Sequence, residues 1–223
     1  MIEIVNLSKI FDAGGKNEFI ALSDINLSIA QNECIVLKGV SGSGKSTLLS
    51  ILGAMSKPSS GAILVEEHNI VKLPDDKISD FRLHTIGFIF QSYNLIDDLS
   101  VVENLMAPLA CLKLSKEERT QRIIRAKELA NILDKDDTLA KDLSGGEKQR
   151  CAIARALINN PSIIIADEPT ANLDKNNSLY LIETLKKLKA LGKTIIIATH
   201  DAIFEETDLV DRLIKIEYGR IVQ

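Results

Sequence analysis

Cysteine is scarce and poorly placed for cross-linking: the chain has three, Cys34, Cys111 and Cys151, an odd number with no close spacing. That argues against a disulfide framework and against a zinc site. Each stands among apolar residues, so all three are expected to be reduced core residues of a cytosolic protein. Charge of a single sign is missing as well. The formal net charge is −4, without a long block of like charge, so nothing favours a nucleic-acid partner, and the scattered lysines and arginines read as solvated faces. No stretch approaches the ~18 unbroken apolar residues of a membrane helix. The opening MIEIVNLSKIF lacks the basic segment and long apolar run of a signal peptide. A membrane role would therefore need another chain to cross the bilayer. Repeats, low-complexity tracts and linkers are also lacking, and a single domain is expected over residues 1–223.

The chain does have enough apolar residue, 45%, for one sizeable core with small subdomains packed on it. Short β-branched runs alternate with helical patterns. ECIVLKGV, IGFIF, SIIIADE and TIIIATHD each read as a buried strand, and together they predict a mainly parallel sheet in an α/β fold. IEIVNLSKIF, EFIALSDINLSIA and AILVEE alternate polar with apolar and predict a small antiparallel β subdomain. From residue 92 to 143 the pattern is helical, including SVVENLMAPLACL and a helix from Lys116 to Leu133 capped by Ser115 and Glu118. This segment is expected to be a helical subdomain inserted between 1–91 and 144–223.

GVSGSGKST, Gly39 to Thr47, matches G-x-x-x-x-G-K-[ST] and stands directly after one predicted strand and before a predicted helix. Gly39, Gly42 and Gly44, with Ser41 and Ser43 between them, let the backbone curl around a triphosphate and aim its N–H groups at the oxygens, at the positive end of a helix. Lys45 would reach the β- and γ-phosphates, Ser46 would hold magnesium and Thr47 would help bind the α-phosphate. A second magnesium anchor is expected as an acid ending an apolar strand, and SIIIADE supplies Asp167. Glu168 beside it could accept a proton from an attacking water. His200 ends the next predicted strand, at the carboxyl end of the sheet where α/β ligands bind.

LSGGEKQR poses a different question. Ser144 and Glu147 form a capping box, which contributes roughly 1 kcal/mol, but Gly145 and Gly146 each cost about as much inside a helix. Glycine makes sense there if another backbone or an anionic ligand must come close.

In order along the chain, GVSGSGKST, Gln91 after IGFIF, LSGGE, SIIIADEPT, ANLD and His200 resemble the full motif set of the ATP-binding subunit of ABC transporters. The resemblance covers essentially the whole chain. It implies a P-loop NTPase (RecA-like) core, ATP and Mg2+ as cofactors, and a head-to-tail dimer with two ATP molecules between the P-loop of one subunit and the signature of the other. Ser144, Gly145 and Gly146 would then meet the γ-phosphate held by the partner chain. Gln91 would sense the γ-phosphate and magnesium, His200 would orient the γ-phosphate and the attacking water, and Asp174 would contact the other subunit. Phe11 occupies the place where the family stacks an aromatic on adenine, or else is a plain core phenylalanine. Within the family, the stretches IGFIFQSYNLI, SVVENLMAPL and LLSILGAMSKPSSGAI are most similar to the lipoprotein-release, macrolide-export and cell-division group. The implied function is an ATPase that powers a separate integral membrane permease from the cytoplasmic face. The alternative is an ATP-driven module that signals through its membrane partner without transport. Three departures from the family pattern stand out: Asp97 and Asp98, Ala171, and Lys38. Tyr93, Leu95, Ile96 and Leu99 either grip the permease or pack the helical subdomain internally.

Overall fold

The computed structural model describes residues 1–66 and 68–222. In chain order the elements are β1 (Ile2–Phe11), β2 (Phe19–Ile29), β3 (Cys34–Lys38), α1 (Lys45–Leu52), β4 (Ser60–Val65), β5 (His68–Asn69), α2 (Asp75–Thr85), β6 (Ile86–Ile89), α3 (Val101–Met106), α4 (Lys116–Ala130), α5 (Gly145–Leu157), β7 (Ile163–Asp167), α6 (Lys175–Ala190), β8 (Thr194–Ala198), β9 (Arg212–Glu217) and β10 (Arg220–Val222).

Among the described residues the strands form two sheets. The antiparallel one has the order β2-β1-β4-β5, and the second has the order β10-β9-β3-β8-β7-β6, parallel except for the β9–β10 hairpin. The P-loop strand β3 therefore neighbours β8, and β8 neighbours β7. Their carboxyl ends lie level, with Leu37 opposite Ala198 and Ala198 opposite Asp167.

Period-2 alternation sends these strands' side chains to two cores. Ile35, Leu37, Ile163, Ile165, Ile196 and Ala198 face a cluster shared with α1 and the antiparallel sheet. Cys34, Val36, Ile164, Ala166, Ile195 and Ile197 face the cluster beneath α4, α5 and α6. Both faces are dry, which is why these strands read as unbroken Ile and Val runs. The α/β fold with a P-loop core and a β subdomain is the one expected.

Residues 92–143 hold α3, α4 and two short 3-10 turns, with an isolated bridge between Ser100 and Leu139. The Ser115–Glu118 capping box starts α4 as read, but the helix stops at Ala130. Asn131 adopts the left-handed conformation, φ 50°, and ends it three residues before the expected Leu133. Helix α2 escaped the sequence reading because it buries no residue, so it carries no apolar stripe. Cys34 and Cys151 are core residues, with burial pushing their thiols up to about 12 and about 11. Cys111 is exposed, contrary to expectation, on the turn after the 3-10 segment Ala107–Leu109. Of the four apolar residues after Gln91, Ile96 stays half exposed while Leu95 packs against the core.

Candidate active site

The turn from β3 into α1 depends on missing side chains. A Cβ at Gly39 would fall 2.3 Å from the Ile216 carbonyl oxygen. At Gly44, φ is 107° and a Cβ would meet the Ala21 carbonyl at 2.7 Å. The loop wraps tightly: the Ser43 N–H donates to the Val40 carbonyl at 3.2 Å, and Gly219 N–H donates to the Ser43 carbonyl at 3.0 Å. The Lys45 ammonium curls back over the loop and donates to the carbonyls of Gly39, 2.8 Å, and Val40, 3.1 Å. The Ser43 hydroxyl is buried and has no hydrogen-bond partner among the described residues. Above lies a cavity of about 390 Å³, lined by Ser41 through Thr47 together with Gln91, Glu168, His200 and Phe19.

Two carboxylates stand at the end of β7 in different environments: Glu168 lines this cavity, and Asp167 is bonded to Ser46 of the lining. Asp167 is partly buried and accepts a hydrogen bond from the Ser46 hydroxyl at 3.1 Å. Burial raises its pKa above the usual carboxylate value, the neighbouring Glu168 charge adds to the rise, and Ser46 and Lys45 oppose it. Glu168 sits at φ 44°, a left-handed conformation uncommon for a residue with a side chain. That turn throws its carboxylate back toward β8. There Oε2 accepts from the Thr199 hydroxyl at 3.0 Å and the His200 N–H at 3.4 Å, and Oε1 lies 3.0 Å from His200 Nδ1. Nδ1 donates to this carboxylate in any form of the ring that carries a proton there. The Glu168 side chain is 13% exposed and that of His200 73%. The result is a carboxylate locked in orientation beside an imidazole that reaches into the open cavity.

Ser46, Asp167 and Gln91 offer a hydroxyl, a carboxylate and an amide. All are hard oxygen donors of the kind magnesium takes, and none is the thiolate or imidazole that zinc takes. The direct Ser46–Asp167 contact shows that the two expected anchors converge.

The chain matches the ABC transporter family over residues 22–171. It belongs to that family. A Thermotoga maritima "uncharacterized ABC transporter ATP-binding protein" is 38% identical over 99% of this chain and 93% of its own length. The macrolide export ATP-binding/permease protein MacB of Vibrio parahaemolyticus is 37% identical over the whole chain, which spans 34% of that longer protein. Among solved structures, the ATP-binding cassette MJ0796, a dimer in a post-hydrolysis state bound to ADP and Pi, superimposes with a TM-score of 0.90 at 36% identity, covering 100% of this chain and 97% of that one.

The remaining motifs of this ABC ATPase lie away from the cavity just described. Ser144 caps α5: its Oγ accepts from Glu147 N–H at 3.4 Å, and Glu147 Oε2 accepts from Ser144 N–H at 2.8 Å. The Lys135 ammonium, 2.9 Å away, and the capping bonds hold the Glu147 carboxyl down to about 2. The two glycines prove to have different reasons. A Cβ at Gly146 would sit 2.3 Å from Asn177 Oδ1, so it would have to displace the Asn177 amide. At Gly145 the nearest neighbours would be the Tyr93 hydroxyl at 3.5 Å and the Asn172 carbonyl at 3.6 Å, ordinary contacts. Ser144, Gly145, Gly146 and Asp174 are all outside the cavity lining. Asp174 caps α6, accepting from Asn177 N–H at 2.8 Å, and this bond lowers its pKa.

Phe11 is 45% exposed, so it is not a core residue, and it too lies outside the lining. Its cross-strand partner on β2, Phe19, is in it. The sequence reading missed Phe19, which the register of β1 with β2 sets opposite Phe11. It also missed Thr199, fully buried, whose hydroxyl orients Glu168. The departure at Lys38 has a structural answer: its ammonium pairs with Glu205, tying the end of β3 to the segment after His200.

Proposed function

We propose that this chain is the ATP-hydrolysing subunit of an ABC transporter, closing head-to-tail with a second copy, or a paired ABC subunit, around two ATP and Mg2+, and powering an integral membrane permease. The observation that carries the reading is the division of the phosphate-binding residues. The P-loop, Glu168 and His200 line one cavity, with Asp167 bonded to Ser46 of that lining, whereas Ser144, Gly145 and Asp174 stand outside it with Gly145 exposed and locally unconstrained. A second chain bringing its own Ser144–Gly146 over the first chain's P-loop would complete both sites. The dimeric MJ0796 structure supports this arrangement. We assign residues 92–143 as the helical subdomain and 1–91 with 144–223 as the core and β subdomain.

The reaction follows from the placement of these groups. Lys45 turns from the loop carbonyls to the β- and γ-phosphates, whose oxygens take the P-loop N–H groups. Ser46 and Asp167, with Gln91, would hold magnesium, which when bound supplies positive charge to the β- and γ-phosphate oxygens. Glu168 accepts a proton as a water oxygen bonds to the γ-phosphorus, and the bond to the bridging oxygen breaks to release ADP and phosphate. Thr199 and His200 keep the carboxylate aimed during this step. Phe19, with Phe11 behind it, offers the adenine a ring.

MacB-type relatives carry ATP-binding and permease functions under one name, which supports an export or lipoprotein-release type of permease. No helix among the described residues is long and apolar enough to cross a membrane. Relatives that this chain spans nearly end to end are ATP-binding proteins, which supports a permease on a partner chain, with this subunit on the cytoplasmic face of the membrane. Sedimentation of Glu168→Gln protein tests the central claim. With ATP it should run as a dimer and without ATP as a monomer, while adding Ser144→Arg should keep it monomeric in both. Hydrolysis by Glu168→Gln should fall about 10²–10⁴-fold with nucleotide binding retained. Sedimentation that ignores ATP would overturn the proposal.

A further inference from the structure

We propose that Arg155 is a positioning residue for hydrolysis: its guanidinium fixes the chain just after Gln91 and ties it to the helix whose other end carries Ser144–Gly146. The inference rests on the reading of Gln91 given above.

Arg155 lies in the last turn of α5. Its two terminal nitrogens diverge onto consecutive backbone carbonyls, Nη2 donating to Tyr93 at 2.7 Å and Nη1 to Asn94. Among the described residues it forms no ion pair. Burial of the guanidinium lowers its pKa, as expected for a cation taken from water without a counter-ion. The side chain is half-buried and borders an open cavity, so an apolar side chain of like size would lie there at no greater cost. What an apolar side chain cannot do is bind two carbonyls at once, and a lysine does not have the planar fork to do so.

The two carbonyls belong to a segment that needs holding. Tyr93 and Asn94 are consecutive left-handed residues, φ 60° and 52°, and neither is glycine. Strain of this kind persists where surrounding contacts over-determine it. Arg155 supplies those contacts from one side and Asn172 from the other. Asn172 Nδ2 donates to the Gln91 carbonyl at 3.0 Å, and the Tyr93 hydroxyl donates to the Asn172 carbonyl at 3.4 Å. Gln91 therefore enters the nucleotide cavity on a backbone clamped between α5 and the turn that follows Glu168.

Helix α5 transmits the clamp. From Arg155 back to Ser144 is roughly 16 Å of continuous helix at 1.5 Å per residue. Midway, the buried Gln149 amide donates to the Pro169 carbonyl at 3.0 Å, directly after Glu168. A displacement of Gln91 by a γ-phosphate must strain the Arg155 fork or move α5, and moving α5 moves the surface offered to the other subunit. Truncation at 155 need not unfold the chain. The side chain borders a cavity of about 300 Å³, from which water can reach the freed carbonyls.

The test compares Arg155→Ala, Arg155→Lys, Gln91→Ala and the double variant Gln91→Ala/Arg155→Ala, measuring kcat, KM for ATP and binding of a fluorescent ATP analogue. Arg155→Ala should lower kcat 10- to 100-fold with KM and analogue affinity within twofold, and lysine should restore only part of it. The double variant should be no slower than the slower single one, since both substitutions remove one function. A kcat within twofold of the parent in Arg155→Ala, or losses that multiply in the double variant, overturns the inference; should Arg155→Ala fail to fold, Arg155→Lys with full kcat overturns it equally. Gln91→Ala at full activity instead overturns the reading of Gln91, so the two failures are distinguishable.

Discussion

Asp167 shows how one residue can work against the fold for the sake of the ligand. Its pKa is raised, chiefly by burial, so the folded chain holds the proton more tightly than the unfolded chain does. Ionised Asp167 therefore costs stability at neutral pH, and this cost disappears as pH falls through the raised folded value. Asparagine keeps an acceptor for the Ser46 hydroxyl and removes the charge. Asp167→Asn without nucleotide should melt at or above the temperature of the parent protein at pH 7.5, while magnesium and ATP together should add far less stability to it than to the parent. Thermal melts with and without Mg·ATP check this, and a nucleotide-free variant several degrees less stable would count against it. Asp167, Glu168 and His200 were legible from the sequence because each ends a run of buried β-branched residues. Thr199, one residue before His200, was not, since a lone threonine at a strand end carries no pattern. Phe19 was hidden for a related reason: its partner Phe11 sits at the familiar position, and only the register of the β1–β2 pairing reveals which ring borders the cavity.

Helix α5 separates two reasons for glycine that its sequence presents together. Alanine at 146 must displace the Asn177 side chain, which also bonds to Asp174 at 2.9 Å. Gly146→Ala should therefore lower the melting temperature. Alanine at 145 meets only ordinary contacts and gains up to about 1 kcal/mol of helix propensity, so Gly145→Ala should melt roughly 2–4 °C higher. Yet it should weaken ATP-dependent association of the Glu168→Gln protein, because in the proposed dimer the second subunit's nucleotide would approach this exposed position. Equal destabilisation by both alanines would remove the distinction. The start of the same helix also titrates. The Glu147 carboxyl is held down to about 2, below its unfolded value of about 4.3, so its contribution is complete above pH ~4.3 and lost as pH falls from there toward 2. Glu147→Gln should flatten the acid side of the stability profile across that window. Helix starts with Ser-x-x-Glu were readable because the cap is a local hydrogen-bond pattern. The end of α4 depends on one left-handed asparagine, and α2 on surroundings that hide no side chain, so neither left a mark on hydrophobic spacing.

The parallel strands β3, β7 and β8 are shared between two cores, which is why their unbroken apolar runs made the parallel sheet plain. What one chain's sequence cannot display is the surface made by two, because residues that meet another copy look like any exposed loop. Association offers a thermodynamic signature that is independent of shape. Ligand binding to the folded state raises stability by about 2.7 kcal/mol at a hundredfold excess over Kd, and for a monomer that gain does not depend on protein concentration. If ATP instead draws two chains into one folded unit, each tenfold rise in protein concentration adds about 1.4 kcal/mol per dimer, or roughly 0.7 per chain. At about 2–4 °C per kcal/mol for a chain of this size, the Glu168→Gln protein with saturating Mg·ATP should melt roughly 1.5–3 °C higher per decade of its own concentration. Adding Ser144→Arg should abolish that slope while leaving the ATP-induced rise itself, since the P-loop cavity is untouched. A rise with no slope in the Glu168→Gln protein would mean that one chain binds the nucleotide alone, and the exposed Ser144–Gly146 surface would then need another occupant.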